Sequence, residues 1–491
     1  MRPAAPLADA WLANRPTGVL IDGEWVPTAQ SFPTTDPATG AELALVAEAG
    51  PTDVDAAVAS ARAALTAPAW AGRTGAQRAR LLWRVADLLE AHLDELAELE
   101  TLDQGKTLAT ARLGELPGAI EQFRYYAGFA SKISGTTFNP SISYQPPGRR
   151  IVAHTVPQPI GVVAAIVPWN SPLLMAAMKV APALAAGCVV ILKPAEDTPL
   201  TALRLGELLL AAGIPPGVVN VLTGGGAVGA ALARHDGVDK VSFTGSTDVG
   251  KELIRVAAGN LKRLTLELGG KSPAVVLEDA DLDLTIAGLA RGIFTNAGQV
   301  CVAGSRIYVQ RSRFAEVASR LASEARGLRL GHGLDPSSDL GPLVSTRHAD
   351  RVQAYVDEGA ADGVEVHAGG REDGAYFAPT VLTGAGPGHR LMREEIFGPV
   401  AALTPFDEVE EVLDLANDTR YGLAASVWTQ DLSAAYRISD QLEAGTVWIN
   451  CHSYFSPELV KGGHKESGWG YENGAPGLQN YLEYKTVCLS V

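Results

Sequence analysis

The stretch GVVAAIVPWN spans residues 161–170 and decides the fold class of this chain. Its first seven residues form a short apolar run, rich in β-branched side chains and ended by Pro168, which is typical of a buried β-strand. Similar runs recur as VVILK, GVVNVL, KVSFTG and AVVLE, and helical segments such as PLTALRLGELLLAAG lie between them. The alternation predicts an α/β fold whose parallel sheet is covered by helices on both faces.

The same alternation resumes in the second half of the chain. RIYVQ, AASVWT and GTVWIN are predicted strands, and SRFAEVASRLASEARGL, DEVEEVLDLAND and DLSAAYRISDQL are predicted helices. These segments predict a second α/β unit. Ahead of both units we expect two helices, one over PTDVDAAVASARAAL with Thr52 as its cap, and one continuous helix over residues 74–100.

Composition excludes several functional classes. The chain has 491 residues, which predicts two or more domains, and a net charge of -15, which makes a general nucleic-acid binder improbable. Its 4 cysteines show no C-x-x-C spacing, so we expect neither a disulfide framework nor a metal site. The chain shows no apolar run of roughly 18 residues and no signal peptide, so we expect a cytoplasmic protein without a membrane partner.

Cys301 lies among small and apolar residues in NAGQVCVAGSR, residues 296–306. From this pattern alone, Cys301 is either a small residue that fills the core, as we expect for Cys188, or a nucleophile that needs room for a substrate. Glu267 in LELGGKSP is either a charge at a strand end or a carboxylate that reaches into a cleft. Asn170 in VPWN is either a turn residue or an oxyanion donor.

Two glycine-rich stretches are candidate nucleotide-binding turns. GGGAVG, residues 224–229, matches G-x-G-x-x-G after a probable strand, but in a chain with 52 glycines a plain turn is equally compatible. FTGSTDVGK, residues 243–251, lies between a strand and a probable helix, where backbone N–H groups suit a pyrophosphate. No G-x-x-x-x-G-K-[ST] motif occurs, which disfavours a P-loop NTPase.

Seven motifs in a fixed order resemble the NAD(P)-dependent aldehyde dehydrogenase family: VPWN, LKPAED, FTGST, LELGGKSP, GQVC, EEIFGPV and GGHKESGWG. The resemblance covers nearly the whole chain. It implies two doubly wound parallel-sheet domains and a small β oligomerisation ribbon in a homodimer or homotetramer. We expect the NAD-binding domain at 1–139 and 159–266, the catalytic domain at 267–477, and the ribbon at 140–158 and 478–491.

The resemblance also implies catalytic roles. Cys301 matches the nucleophile that adds to the aldehyde carbon and then carries a thioester. Asn170 and the backbone N–H of Cys301 match the oxyanion donors. Glu267 matches the base that activates water to hydrolyse the thioester.

Cofactor positions follow from the same matches. Lys193 and Glu196 match residues that hydrogen-bond the adenosine ribose, and a carboxylate there favours NAD over NADP, although NADP stays possible. The full set implied for the cofactor is Ile166, Trp169, Lys193, Glu196, Gly225, Gly229, Gly245, Ser246, Gly250, Glu395 and Phe397.

The predicted aldehyde pocket departs from the usual family pattern. It comprises Ser171, Leu174, Met178, Thr295, Tyr454, Phe455 and Lys461. Ser171, Met178 and Thr295 stand where many members have aromatic residues. Lys461 stands where phenylalanine is usual and Tyr471 where arginine is common. We considered two positions for Lys461: its ammonium faces the tunnel mouth and favours a distal carboxylate, or its stem lines the wall while its head reaches water.

The resemblance therefore predicts oxidation of a hydrophobic, aromatic or broad range of aldehydes to carboxylic acids. The alternatives are a dehydrogenase for carboxylated semialdehydes, a CoA-acylating dehydrogenase, and a silent NAD-binding structural protein. Glu267 argues against the CoA-acylating type, and the presence of both Cys301 and Glu267 argues against the silent type.

Overall fold

A computed structural model describes residues 2–144 and 147–491. Met1, in the predicted first domain, and Gln145 and Pro146, in the predicted ribbon, lie outside the described residues. The strands are, in chain order, β1 Val19–Ile21, β2 Glu24–Val26, β3 Gln30–Thr35, β4 Glu42–Glu48, β5 Thr137–Phe138, β6 Ile151–Pro159, β7 Val162–Ile166, β8 Val189–Lys193, β9 Val219–Val221, β10 Lys240–Thr244, β11 Arg263–Glu267, β12 Pro273–Val276, β13 Arg306–Gln310, β14 Glu365–Arg371, β15 Phe377–Thr383, β16 Val400–Phe406, β17 Tyr421–Gly422, β18 Ala424–Trp428, β19 Thr446–Ile449, β20 His464–Lys465, β21 Gly468–Trp469 and β22 Leu482–Ser490.

Helices connect most of these strands. They are α1 Pro6–Asn14, α2 Pro51–Thr66, α3 Pro68–Ala71, α4 Gly75–Ala91, α5 Leu93–Gln104, α6 Leu116–Ala130, α7 Pro172–Ala186, α8 Leu200–Ala211, α9 Gly226–Arg234, α10 Thr247–Ala257, α11 Leu282–Phe294, α12 Arg311–Gly327, α13 Thr346–Ala361, α14 Arg390–Arg393, α15 Val409–Asn417, α16 Leu432–Gln441 and α17 Gly474–Gln479. A π-helix spans Thr110–Glu115 and a 3₁₀ turn spans Thr295–Gly298. Among the described residues, no helix is long and apolar enough to cross a bilayer.

The first sheet has the strand order β2-β1-β9-β8-β7-β10-β11-β21. Its central strands β9, β8, β7, β10 and β11 are parallel, and every residue of β7 is buried. From β7 the chain builds β8 and β9 on one side, and then β10 and β11 on the other. The order therefore reverses between β7 and β10, and open α/β sheets bind ligands outside the carboxyl ends of strands at such a point.

The second sheet has the order β14-β15-β16-β13-β12-β18-β19. Six neighbouring strands are parallel and only β14, at one edge, is antiparallel. Separate apolar clusters pack on its two faces, one around Phe377 and Phe406 and the other around Phe294 and Trp428. The α/β class with two doubly wound sheets is confirmed.

The predicted ribbon is an antiparallel sheet of three strands in the order β22-β6-β5. The strand β22 pairs with β6 along its whole length, from Leu482 opposite Pro159 to Ser490 opposite Ile151. The short strand β5 begins at Thr137, ahead of the expected start of the ribbon at residue 140. Pairing with another subunit through this sheet stays a prediction, as do the domain boundaries.

A short return strand joins the two halves of the chain. The strand β21 lies inside the segment expected to form the catalytic domain, yet it pairs antiparallel with β11 of the first sheet, with Gly468 opposite Glu267. This pairing carries residues 461–472 across the carboxyl end of β11.

Two predictions about the early helices were wrong. The helix α2 begins at Pro51, and its cap is Gly50, whose N–H donates to the Asp53 carboxylate over 2.7 Å. Thr52 lies inside the first turn because Pro51 is the first helical residue. The helix expected over residues 74–100 is interrupted at His92, which leaves the helical conformation at φ -105 and lies 3.2 Å from Arg204 of α8 through its ring nitrogen.

Candidate active site

Two of the three predicted catalytic residues lie at the carboxyl ends of strands in the first sheet, and the third lies in a loop before a strand of the second sheet. Asn170 follows β7, and Glu267 is the last residue of β11, which pairs with β10 beside β7. Cys301 lies between the 3₁₀ turn and β13 of the second sheet. The nucleophile candidate therefore comes from one sheet, and the two polar candidates come from the other.

The turn before Cys301 is held in a strained conformation. Asn296 and Ala297 both adopt the left-handed region at φ 51, which non-glycine residues rarely enter. Gly298 follows at φ 71, and a Cβ there would overlap the carbonyl of Gly398. Such strain persists only where the surroundings impose it, and it is common at active sites.

Asn170 is tied to this turn by reciprocal hydrogen bonds. Its amide Nδ2 donates to the carbonyl of Gln299 over 2.8 Å, while Asn296 Nδ2 donates to the Asn170 carbonyl over 3.0 Å. The buried Lys106 also donates to the Asn170 carbonyl, at 3.0 Å. A side-chain amide has two N–H groups, so one remains available for an oxyanion near Cys301.

Glu267 is a buried carboxylate beside the ammonium group of Lys461. Its residue is 1% exposed, and neither carboxylate oxygen has a hydrogen bond within the described part of the chain. The ammonium nitrogen of Lys461 lies 3.4 Å from its Oε2. Burial raises the pKa of Glu267 to about 7 and the positive charge of Lys461 opposes the rise, so the group is poised between acid and base near neutral pH.

Cys301 is half-buried in a small apolar cluster. It packs, with Cys451, against Val302, Leu423 and Trp448. Burial raises the pKa of the Cys301 thiol, and the charge of Lys461 is the largest contribution that opposes this. The thiol is therefore reachable, but it depends on neighbouring charge to ionise.

The two glycines of LELGG bring the strand end close to the nucleophile. A Cβ on Gly270 would lie 2.5 Å from the carbonyl oxygen of Cys301, and one on Gly269 would overlap the Glu395 carboxylate. The N–H of Gly270 donates to Glu395 Oε1 over 3.0 Å. Burial raises the pKa of Glu395 to about 7 despite this bond.

Neither of the two positions considered for Lys461 is observed. The residue is 7% exposed, so its head does not reach water, and its ammonium lies 3.4 Å from Glu267 instead of facing a tunnel mouth. The cause is the return strand β21, which carries this segment across β11. Reciprocal backbone bonds between Lys461 and Glu472, of 2.8 and 2.7 Å, complete the crossing.

The predicted adenosine-side residues lie together at the carboxyl edge of the first sheet. Lys193, the last residue of β8, lies 3.3 Å from the carboxylate of the exposed Glu196. Gly229 in α9 faces both Ile166 and Lys193, since a Cβ there would lie 3.7 and 4.0 Å from their side chains. Gly225 caps α9 at its N-terminus.

A second helix N-terminus lies beside β10. Gly245 follows that strand, and the next residue, Ser246, caps α10 by accepting the N–H of Val249 at 3.4 Å. Gly250 is one turn further on and buried, and a Cβ there would meet Leu268 at 2.6 Å, so its role is to let α10 approach the sheet. The two starting turns of α9 and α10 flank the point where the strand order reverses.

The remaining predicted cofactor residues form an aromatic group. The rings of Trp169 and Phe397 are 5.2 Å apart and nearly perpendicular. His348 completes the group at 5.3 Å from Trp169, and its Nε2 donates to the Phe397 carbonyl over 2.8 Å. Sequence reasoning missed His348, which no motif marks.

The predicted pocket residues divide by exposure. Tyr454 and Phe455 are each 51% exposed, and Phe455 packs edge-on against Trp448 at 5.7 Å. Arg291 lies 4.5 Å from the Tyr454 ring and donates to its hydroxyl at 3.1 Å. Of the other pocket candidates, Ser171 and Met178 are buried, Leu174 is half-buried and Thr295 is exposed.

Residues that support the site were also missed. His452 is 2% exposed, and its Nε2 donates to the carbonyl of Val302 over 2.9 Å, which fixes the segment after the nucleophile. Burial lowers the pKa of His452 to about 4, so the ring is neutral. Gln299 accepts the N–H of Val344 at 2.8 Å and so fixes the segment before it. Asn296 and Gln299 belong to the NAGQ motif and could have been identified from it, whereas nothing in the sequence marks His452.

Comparison with known proteins finds similarity, over nearly the whole chain, to the same family that the sequence motifs resemble. The model of the aldehyde dehydrogenase family matches residues 25–487. A phenylacetaldehyde dehydrogenase of Pseudomonas fluorescens is 47% identical over 97% of this chain and 96% of its own length. Human retinal dehydrogenase 2 is 42% identical over 100% of this chain and 96% of its own length. The structure of a Bacillus cereus aldehyde dehydrogenase in complex with NAD+ superimposes with a TM-score of 0.96 at 43% identity, covering 100% of this chain and 99% of that one.

Proposed function

This chain belongs to the aldehyde dehydrogenase family, and we propose that it oxidises an aldehyde to the carboxylic acid with NAD through a thioester on Cys301. The observation that supports this most is that the loop of Cys301 packs against the two strand ends of the first sheet, since Asn170 donates to the Gln299 carbonyl and Gly270 lies against the Cys301 carbonyl. The Asn296 side chain also donates to the Asn170 carbonyl, and these two hydrogen bonds of Asn170 hold that geometry.

The side chains suit the two halves of the reaction. The Cys301 thiolate adds to the aldehyde carbon, and the new oxyanion accepts hydrogen bonds from the free N–H of Asn170 and from the backbone of Cys301. Collapse of this oxyanion breaks the C–H bond, whose hydride NAD would accept, and leaves a thioester on Cys301. Glu267 then takes a proton from the water that attacks the thioester, and the acid is released with regeneration of the thiol. A carboxyl with a pKa of about 7 can carry out that transfer near neutral pH.

The residues at the sheet edge fit NAD, which when bound supplies the hydride acceptor. The N-termini of α9 and α10 flank the reversal point, where the N–H groups of a first helical turn would favour a pyrophosphate. Lys193 and Glu196 would hold the adenosine ribose hydroxyls, and Glu395 the nicotinamide ribose. Gly225, Gly229 and Gly245 leave the backbone bare where the dinucleotide would approach it.

We propose a hydrophobic or aromatic aldehyde as the substrate. The half-exposed rings of Tyr454 and Phe455 and the buried Trp448 form an apolar approach on the Cys301 side of the site. Two of the relatives are named as dehydrogenases of phenylacetaldehyde and of retinal, which are apolar aldehydes. A carboxylated semialdehyde is disfavoured, because the ammonium of Lys461 that would bind it already lies against Glu267.

The test is NADH formation with a panel of aldehydes of equal chain length. We expect phenylacetaldehyde and a linear apolar aldehyde to be oxidised far more efficiently than an ω-carboxylated aldehyde. Cys301→Ala is the matched control and should abolish NADH formation while retaining NAD binding. NADH formation at the wild-type rate by this variant would exclude the covalent route, and a preference for the carboxylated aldehyde would exclude the substrate proposal.

A further inference from the structure

Lys461 is a charged group beside Glu267 that the covalent mechanism does not use. Its side chain is 8% exposed and its ammonium nitrogen forms no hydrogen bond within residues 2–144 and 147–491. Its charged partner is Glu267, at 3.4 Å. A buried ammonium without hydrogen bonds is costly, so its retention beside two catalytic groups calls for a function.

The other charges around this pair are already engaged. Lys179 is fully buried and bonds to the Oε1 oxygen of Glu472 and, at 3.4 Å, to Ser242. Glu395 is held by the N–H of Gly270. Among the described groups that face Glu267, this leaves Lys461 as the cation that contacts its carboxylate.

A buried carboxyl without a cation favours its neutral form, which cannot take a proton from water. The same burial favours the neutral thiol over the thiolate. A fixed cation against the Glu267 carboxylate stabilises its negative charge, and the same positive charge opposes the rise that burial causes in the pKa of Cys301. Burial lowers the pKa of Lys461, but the charges of Cys301, Glu267 and Glu472 outweigh burial and raise this pKa overall.

We propose that Lys461 is a positioning residue, a fixed cation that holds the Glu267 carboxylate beside Cys301 and stabilises negative charge on both groups. This inference rests on the proposed function, in which Glu267 is the base and Cys301 the nucleophile.

The first experiment measures the pH dependence of turnover in Lys461→Met. Without the cation, Glu267 should stay protonated to higher pH, so the acidic limb of kcat should move up by about one pH unit or more, equal to a tenfold loss at a pH below both midpoints. At neutral pH a burst of NADH should precede slow turnover, because thioester hydrolysis becomes limiting. Lys461→Arg keeps the charge and should retain most of the wild-type profile.

The second experiment needs neither NAD nor aldehyde. In a Glu267→Gln background, iodoacetamide alkylation of Cys301 is followed against pH by mass spectrometry of its peptide, with and without Lys461→Met. Loss of the lysine should move the alkylation midpoint to higher pH, since the thiolate loses its neighbouring cation. This result does not depend on which aldehyde is oxidised, so it separates failure of this inference from failure of the proposed function.

Controls distinguish charge from structure. Lys262→Met removes an equally buried lysine, 8% exposed, whose ammonium donates to the carbonyl of His235 away from the site, and it should leave both profiles unchanged. Lys461→Phe replaces the charge with a ring and should behave as Lys461→Met does, which provides a second variant if the first folds poorly. A midpoint indistinguishable from the matched parent in either experiment would overturn the inference.

Discussion

At the scale of single residues, the proposed chemistry requires negative charge on buried side chains. Glu267 and Cys301 must both carry negative charge during the reaction, and burial opposes it in each case. The positive charge of Lys461 counters the effect of burial on these two groups. The proposed oxyanion donor Asn170 is instead fixed by hydrogen bonds, one through its backbone carbonyl and one through its side-chain amide.

The pKa of Glu267 predicts how activity responds to pH. The base works deprotonated, and a pKa of about 7 means that this form is lost as the pH falls through that value. We therefore expect kcat at saturating aldehyde and NAD to fall on the acidic side of about pH 7, with a plateau above it. Steady-state NADH formation from about pH 5.5 to 9 measures this. Glu267→Gln should lose about 100-fold or more in kcat together with this limb, and a limb that survives in the variant would assign it to another group.

The position of Glu196 predicts a preference for NAD over NADP. Its carboxylate lies 3.3 Å from Lys193, where a 2′-phosphate of NADP would bring further negative charge. Glu196→Ser should raise the NADP-to-NAD ratio of kcat/KM several-fold, a modest change because the carboxylate is about half exposed and therefore screened. Glu408→Ser, which removes a carboxylate from the N-cap of α15, is a control that should leave the ratio unchanged. An unaltered ratio in Glu196→Ser would show that this carboxylate does not face the ribose.

The motifs allowed the sequence to propose the catalytic residues. Cys301, Glu267 and Asn170 each lie in a motif that also fixes their strand end or turn. Lys461 was misplaced because its direction depends on the pairing of β21 with β11, a contact between residues far apart in the chain. Thr52 was misassigned as a cap because Pro51 can itself begin a helix at its first position.

At the scale of elements, the buried parallel strands were the most predictable. VVILK coincides with β8 and RIYVQ with β13, since uninterrupted apolar runs are the signature of strands buried on both faces. The strand β21 has only two residues and shows no pattern, and the edge strand β14 is mostly exposed and polar. Short or polar strands are fixed by their neighbours, so local sequence does not reveal them.

The junction between β11 and β12 predicts the effect of one added methyl group. In Gly270→Ala the new Cβ would lie 2.5 Å from the Cys301 carbonyl, so the nucleophile must shift. A displacement of this kind should lower kcat by about 100-fold while the fold survives. Gly386→Ala is the matched control, because nothing lies within 4 Å of its Cβ position. Kinetics and thermal unfolding of both variants test this, and wild-type kcat in Gly270→Ala would mean that the two segments are not in contact during turnover.

At the scale of the whole molecule, the site exists because two sheets meet. The first sheet provides Asn170, Glu267 and the helix N-termini, and the second provides Cys301. Sequence alternation predicted two α/β units but not that residues after 461 would return to the first sheet. That return closes the site over Glu267, and it could not be anticipated because strand pairing across some 200 residues leaves no local pattern.

The central claim is that Cys301 carries the acyl group, and direct trapping of that intermediate tests it. Glu267→Gln is mixed with NAD and an aromatic aldehyde, quenched in acid, digested and examined by mass spectrometry. We predict a stoichiometric burst of NADH and an acyl group on the peptide that contains Cys301, because the amide cannot activate water for hydrolysis. The same burst without any acyl group on Cys301, or with the group on Cys451, would contradict the account.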